Sequence, residues 1–208
     1  MEADALPNVI AALVAGLLAG YGIAMPVGAV ATYLVALTAR TTLKVGVFAA
    51  LGVATADGLY ALIAAVSGSA LIPVLQPITQ PLRWCSALIL IALAVRGAAK
   101  AFKKPADIEQ TPVSPSRAYL TLLGITMMNP TTVIYFAALV LGGGTTTGHL
   151  EQAVFVTAAF LASASWQLIL AAGGALLGRA LTGRRGQLIT TLTSSTLISA
   201  LALHLLLA

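Results

Sequence analysis

From Val9 to Ala39 the chain runs thirty-one residues with tyrosine as its only ionisable side chain. About 20 residues of that kind already cross the hydrocarbon of a bilayer. In hydrocarbon every backbone amide and carbonyl must be satisfied within the protein, which leaves helices and closed barrels. A continuous apolar run without polar alternation specifies a helix. The same pattern recurs along the chain: hydrophobic residues make up 59% and charged ones 8%, the charges gathered in short clusters between long uncharged runs. No soluble domain of this size could solvate such a surface. The spacing predicts an all-α membrane protein of six transmembrane helices, near 9–37, 43–66, 82–101, 118–142, 152–178 and 187–207. The third is the least regular, because Pro73, Pro77 and Pro81 crowd its entry and Arg96 must snorkel to its end. Glu2 and Asp4 stand where a signal peptide carries basic residues, so the first run reads as a retained helix. The single cysteine, Cys85, excludes an intrachain disulfide and reads as a small apolar helix residue of the buried kind.

Orientation follows from the eleven Lys and Arg residues. Arg40 and Lys44 fall in the first connection, Arg96, Lys100, Lys103, Lys104 and Arg117 in or beside the third, and Arg179, Arg184 and Arg185 in the fifth; only Arg83 falls on the other side. Short basic loops stay cytoplasmic, so both termini are expected outside. The net charge of +5 is then a matter of topology. Nucleic acid is not expected as a partner, since no folded basic face or interleaved aromatics accompany these residues.

The one polar linker of any length, 100–117, divides the chain into a three-helix unit at 1–99 and another at 118–208. Sliding the halves by 102 residues brings Gly22, Ile23, Met25, Tyr33, Ala36 and Leu37 onto Gly124, Ile125, Met127, Tyr135, Ala138 and Leu139. Because each half has an odd number of spans, the second enters the membrane with opposite polarity, which makes the pair an inverted repeat of the kind used for alternating access.

Each half carries one interruption of its first apolar run, Gly22-Ile23-Ala24-Met25-Pro26-Val27-Gly28 and Gly124-Ile125-Thr126-Met127-Met128-Asn129-Pro130. Proline removes a helical hydrogen bond and glycine opens backbone angles closed to other residues. The first and fourth helices are therefore expected to be broken at Pro26 and Pro130. Such a break survives in a membrane only where protein or a water-filled cavity satisfies the freed groups, so the breaks mark a candidate midplane binding site; the plainer alternative is a kink filled by a neighbouring helix. Asn129 adds an amide that donates and accepts. Its plainer role is to satisfy carbonyls freed by Pro130.

Asp57 is the only acidic residue well inside a span, roughly 20 Å beyond Lys44 at 1.5 Å per residue. A charge at that depth is costly and usually faces the bundle interior on a proton or substrate pathway. Ala50, Ala54, Ala61 and Ala65 recur beside it at helical spacing, which suits close packing of that face. A structural carboxyl held by hydrogen bonds is the alternative. Tyr33 and Tyr60 flank the first break and Asp57 and join the candidate lining. Trp166 and Gln167, in the stretch Ser163-Ala164-Ser165-Trp166-Gln167, are the remaining candidates, with packing or an interhelical hydrogen bond as their simpler role. His204 reads as interfacial.

Met25-Pro26-Val27-Gly28-Ala29-Val30, Leu51-Gly52-Val53-Ala54-Thr55-Ala56-Asp57 and Met128-Asn129-Pro130 together resemble the lysine exporter (LysE/RhtB) family of bacterial amino-acid export proteins, in motif order, size and nearly the whole length. The resemblance maps Pro26 and Gly28 onto the family's proline-glycine-proline signature in helix one, Asp57 onto an aspartate in helix two, and Asn129 and Pro130 onto its Asn-Pro. Ala29 departs from the signature, many members having a second proline there, so a less kinked backbone is expected. The resemblance implies a bacterial inner-membrane protein exporting amino acids or related small amines, driven by the proton-motive force.

The residues themselves weigh against other classes. A divalent-metal exporter would need several carboxylate, histidine or thiolate ligands converging, where this chain has one buried acid, one cysteine and a peripheral histidine. An intramembrane enzyme would need a nucleophile and base, and neither H-E-x-x-H nor G-x-S-x-G occurs. A scaffold subunit leaves the paired breaks unexplained. The expectation is therefore a secondary exporter without cofactor or bound metal, its substrate held between the broken helices by Pro26, Gly28, Asp57, Asn129, Pro130, Tyr33, Tyr60, Trp166 and Gln167. Asp57 serves there as the proton-coupling or amine-binding carboxylate. The bilayer and the small molecule are its expected partners, and a homodimer stays open. One acidic contact favours neutral over cationic amino acids.

Overall fold

A computed structural model describes residues 5–26, 28–67, 72–102, 113–129, 132, 135, 148–180, 188–189, 192–193, 195–200 and 203. Val27, Pro130, the linker at 103–112 and His204 lie outside the described residues. Within them the chain is helical: α1 (Ala5–Ala24), α2 (Ala29–Arg40), α3 (Leu43–Ser67), α4 (Ile72–Phe102), α5 (Pro115–Met127) and α6 (His149–Ala180), with further helical turns at 195–200. Among the described helices, the spans Leu6–Ala24, Leu43–Val66 and His149–Arg179 are long and apolar enough to cross a bilayer.

The first run is broken where proline and glycine interrupt it. Met25 closes α1 through its N–H on the Tyr21 carbonyl, and α2 opens on Gly28, whose carbonyl accepts both the Thr32 N–H and the Thr32 hydroxyl. The fourth run stops at Met127. There the Met128 and Asn129 amides fold back onto the carbonyls of Gly124 and Thr126, the second a tighter 3₁₀-type closure. At its other end α5 starts on Ser114-Pro115, the serine hydroxyl accepting from the Arg117 N–H while proline takes the first turn, where its missing donor costs nothing.

The third helix departs from expectation. It begins at Ile72 rather than near 82, and it contains Pro77 and Pro81. Pro73 sits in its first turn, where no hydrogen bond is lost. Pro77 and Pro81 recur at four-residue spacing and are both exposed, so the missing bonds line up on one face of a continuous helix. Cys85 is also exposed on this helix, not buried as its composition suggested.

Burial is inverted relative to a soluble protein. Leu6, Leu18, Leu62, Val66, Leu161 and Ile169 are exposed, while alanines 49, 50, 54, 56, 61 and 64 are among the most buried residues. Lipid removes the hydrophobic drive between helices, and small residues let backbones approach instead. Two glycine pairs at four-residue spacing carry this. Gly16 and Gly20 of α1 press on the carbonyls of Phe155 and Ala159, and Gly174 and Gly178 of α6 press on those of Val35 and Ala39 in α2. In each pair the α6 residue lies 139 positions after its partner. Thus α1 and α2 both run parallel to α6.

α3 runs antiparallel to α6, with Gly58 against Phe160 and the Gln152 amide on the Ala65 carbonyl, and parallel to α5, with Gly52 against Tyr119 and Tyr60 at Met127. Two apolar clusters result, and α4 adds a third made of Ala87, Leu90, Ala94, Ile125 and Ile198. One gathers Ala12, Ala19, Tyr60, Ala61, Phe155 and Ala159; the other gathers Leu34, Val53, Leu122 and Ala171 with their neighbours.

Candidate functional site

Between those clusters lies a polar layer. One helical turn from Val53 toward the first cluster is Asp57, one turn from Leu122 is Thr126, and one turn from Ala171 is Gln167. Asp57, Thr126 and Gln167 are 3%, 2% and 4% exposed, so apolar packing covers the layer on both sides. The sequence produces this locally. Each helix keeps an apolar or small stripe at spacings of three and four, and each replaces one member of the stripe within about two turns of the others.

Asp57 accepts a 2.6 Å hydrogen bond from the hydroxyl of Ser163, which is wholly buried on α6. A carboxylate has about four acceptor positions, and this bond uses one. The alanine face beside Asp57 is packed as its spacing predicts: Ala50, Ala54 and Ala61 are fully buried and Ala65 is 5% exposed. The contacts of α1 and α2 along α6 place the first break between the levels of Ser163 and Gln167, so the carboxyl and the break share one depth.

Three buried polar atoms in this region have no hydrogen-bond partner among the described residues: Thr126 Oγ1, Trp166 Nε1 and Gln167 Oε1. An unpaired polar atom in such surroundings costs about 1–3 kcal/mol. Three at adjoining levels, beside an acid and an interrupted helix, form an arrangement able to take up a small solute bearing both donors and acceptors. The backbone contributes as well. Pro26 has no N–H to offer the Gly22 carbonyl, and Gly28 caps α2 without a side-chain hydrogen bond, with nothing among the described residues within 4 Å of where a Cβ would stand.

Not every candidate enters this layer. Pro26 is exposed and Gly28 half-buried at the break itself. Tyr60 reaches across α3 to donate its hydroxyl to the Met127 carbonyl, fastening the end of α5 one turn from Asp57. Tyr33 lies on the far side of the layer, packed on the second cluster and within electrostatic reach of Arg40 and Arg96. Asn129 is half-buried at the end of α5, its N–H on the Thr126 carbonyl. Three residues join the site that sequence reasoning did not single out: Ser163, Thr126 and Tyr135. Ser163 stands one turn from Gln167, a spacing that could have flagged it. Thr126 is inside the second interruption. Tyr135 brings its hydroxyl against Gly22, and its ring packs on the cluster beside Ile23.

A model of the LysE type translocator family matches residues 22–208, from the glycine that opens the first interruption to the last residue. The chain belongs to that family. It is accordingly a membrane transport protein of the LysE type. The match includes both interruptions, Asp57 and the α6 polar stretch. No curated protein and no solved structure is significantly similar to this LysE-type chain.

Proposed function

We propose that the protein is a secondary-active exporter of amino acids or related small amines, coupled to the proton-motive force across a bacterial inner membrane. The observation that carries this reading is the buried polar layer, where Asp57 with Ser163 and the unpartnered Thr126, Trp166 and Gln167 share the depth of an interrupted helix. Neither lipid nor packing explains polar atoms kept unpaired at that depth, whereas a transported solute does. Asp57 serves as the coupling or amine-binding carboxylate. The competing metal-export reading has less support, since no group of three His, Cys, Asp or Glu side chains comes together among the described residues.

The reading includes six spans in two inverted halves, 1–99 and 118–208, joined by the linker 100–117, with both termini outside. Two observations support it. Tyr33 packs on the cluster holding Ile125, and its repeat-mate Tyr135 packs on the cluster beside Ile23, so each half inserts its tyrosine at the other's interruption. Arg40, Lys44, Arg117 and Arg179 all lie at helix ends on the same side of the polar layer, as a cytoplasmic face requires.

The test loads cells or vesicles with candidate amino acids, supplied as dipeptides, and follows efflux. Faster efflux than from cells lacking the protein is expected for at least one substrate, abolished by collapse of the proton gradient. Efflux at the background rate for every substrate refutes the function. Full uphill efflux by Asp57→Asn refutes the role of Asp57.

A further inference from the structure

The geometry points to a binding site for an anionic phospholipid in the groove between α3 and α5, on the outside of the bundle, with an acyl chain along Phe48, Leu51 and Leu120 and the phosphate between Lys44 and Arg117. The site is separate from the buried polar layer and holds whatever solute the transporter carries.

The groove follows from how the two helices meet. They run parallel and touch at Gly52, where the missing side chain lets the Tyr119 carbonyl approach. Beside that contact Phe48, Leu51, Ser116, Tyr119 and Leu120 line an apolar recess of about 370 Å³ that opens outward. Phe48 and Leu120, 38% and 63% exposed, form its rim on the lipid side. The hydroxyls at its inner end are engaged: Tyr119 donates to Thr55 Oγ1 at 3.2 Å, and Thr55 donates to the Leu51 carbonyl at 2.7 Å. That end offers no unpaired donor, so it suits hydrocarbon and not a hydrated solute.

The headgroup follows from charge. Lys44, Phe48 and Leu51 recur at spacings of four and three and so share one face of α3, and Arg117 precedes Leu120 by one such step on α5. Both cations stand in the first turn of their helix, and both are exposed. Helical side chains lean toward the N-terminus, and α3 and α5 begin at the same bilayer surface, so both charged ends reach that surface while their stems lie along apolar lining. Counted from the contact of Gly52 with Tyr119, Lys44 lies about 12 Å and Arg117 about 3 Å toward the surface. The outward lean of the Arg117 stem narrows that difference to what one headgroup spans.

The acidic side chains among the described residues are Asp57, thirteen positions beyond Lys44 on α3, and Glu151 at the opposite end of the bundle. Neither cation therefore has a carboxylate partner among them. Two such cations over an apolar recess at the membrane surface select a negative headgroup. A comparable outward groove between α1 and α6, at Leu13, Val154 and Leu161, has Glu151 one turn from Val154 and no Lys or Arg of either helix near it. Charge there disfavours the same lipid.

The experiment follows thermal stabilisation of the purified full-length protein in neutral detergent, titrated with phosphatidylglycerol or with phosphatidylcholine of the same acyl chains. Phosphatidylglycerol is expected to raise the melting temperature in a saturable way, and phosphatidylcholine to bind about tenfold more weakly or worse. The double variant Lys44→Gln, Arg117→Gln should keep the melting temperature without lipid and lose about tenfold or more in affinity for phosphatidylglycerol. Ser116→Trp, which fills the recess and keeps both cations, should lose as much, and Arg179→Gln, a cation outside the groove, should lose nothing. Equal response to the two lipids, or an equal loss from Arg179→Gln, reduces the effect to general surface charge and overturns the site. Undiminished binding by Ser116→Trp, or equal stabilisation by glycerol 3-phosphate, overturns the acyl groove.

Discussion

Gly173 and Gly174 are neighbours on α6 with opposite surroundings, and a pair of alanine substitutions separates packing from propensity. A methyl at Gly173 meets nothing among the described residues within 4 Å. One at Gly174 would stand 2.7 Å from the Val35 carbonyl oxygen, 3.1 Å from Thr38 Cβ and 3.2 Å from Val35 Cα. Two of those three atoms are backbone, so relief requires α2 and α6 to part by roughly 0.5–1 Å, giving up dispersion contacts along the seam. Overpacking of this kind costs about 1–3 kcal/mol. Replacing glycine inside a helix returns up to about 1 kcal/mol in propensity, a gain common to both variants that cancels in their difference. Gly174→Ala should therefore be less stable than Gly173→Ala by about 1–3 kcal/mol, or roughly 2–12 °C in melting temperature for a chain of this size. The assay is thermal denaturation in detergent, read by size-exclusion of the surviving protein. If Gly174→Ala melts with Gly173→Ala or above it, the close seam between α2 and α6 is wrong, and with it the register that sets Gln167 beside the first break.

Thr126→Val removes an unpaired buried hydroxyl at nearly constant shape; it should raise the unliganded melting temperature by about 1 kcal/mol's worth while lowering efflux, and a drop in melting temperature would falsify the assignment of Thr126 Oγ1 as unpaired. Tyr60→Phe leaves the Met127 carbonyl without its hydroxyl donor and should cost about 1–3 kcal/mol in thermal stability; no change in melting would mean that this bond holds nothing. Ser163→Ala should slow efflux at least tenfold while leaving the protein folded, since one donor to an acidic group is worth about 1.5–3 kcal/mol; undiminished efflux removes Ser163 from the site. In a Cys85→Ser background, Gln152→Cys should react with membrane-impermeant maleimide added to whole cells and Lys44→Cys should not, and the reverse pattern inverts the orientation.

The limits of α3 and the position of the first interruption were legible because their determinants are local. An apolar run bounded by Arg40-Thr41-Thr42 and Ser67-Gly68 fixes one, and Pro26 with Gly28 fixes the other. The inward face of Asp57 was legible too, from four alanines at helical spacing that the structure buries. What the sequence withheld is pairwise. Nothing local says that Asp57 meets Ser163 or that Gln167 stands beside the first break, because crossing and register between helices 106 or 139 residues apart decide both. The start of α4 was misread for a different reason. Prolines normally end a helix, yet two exposed prolines one turn apart leave their gaps on a single face.

The packing of both α1 and α2 on α6 has a mechanical meaning. A proline-glycine break in a membrane helix invites comparison with an elbow, a joint about which the two arms swing. Here Gly16 and Gly20 hold one arm and Gly174 and Gly178 hold the other against a single unbroken rod of 32 residues, α6. An arm splinted above and below its joint does not bend there. The missing turn is better regarded as a window cut in a braced wall: it bares amides and carbonyls to the interior at one depth, and the brace keeps the wall straight.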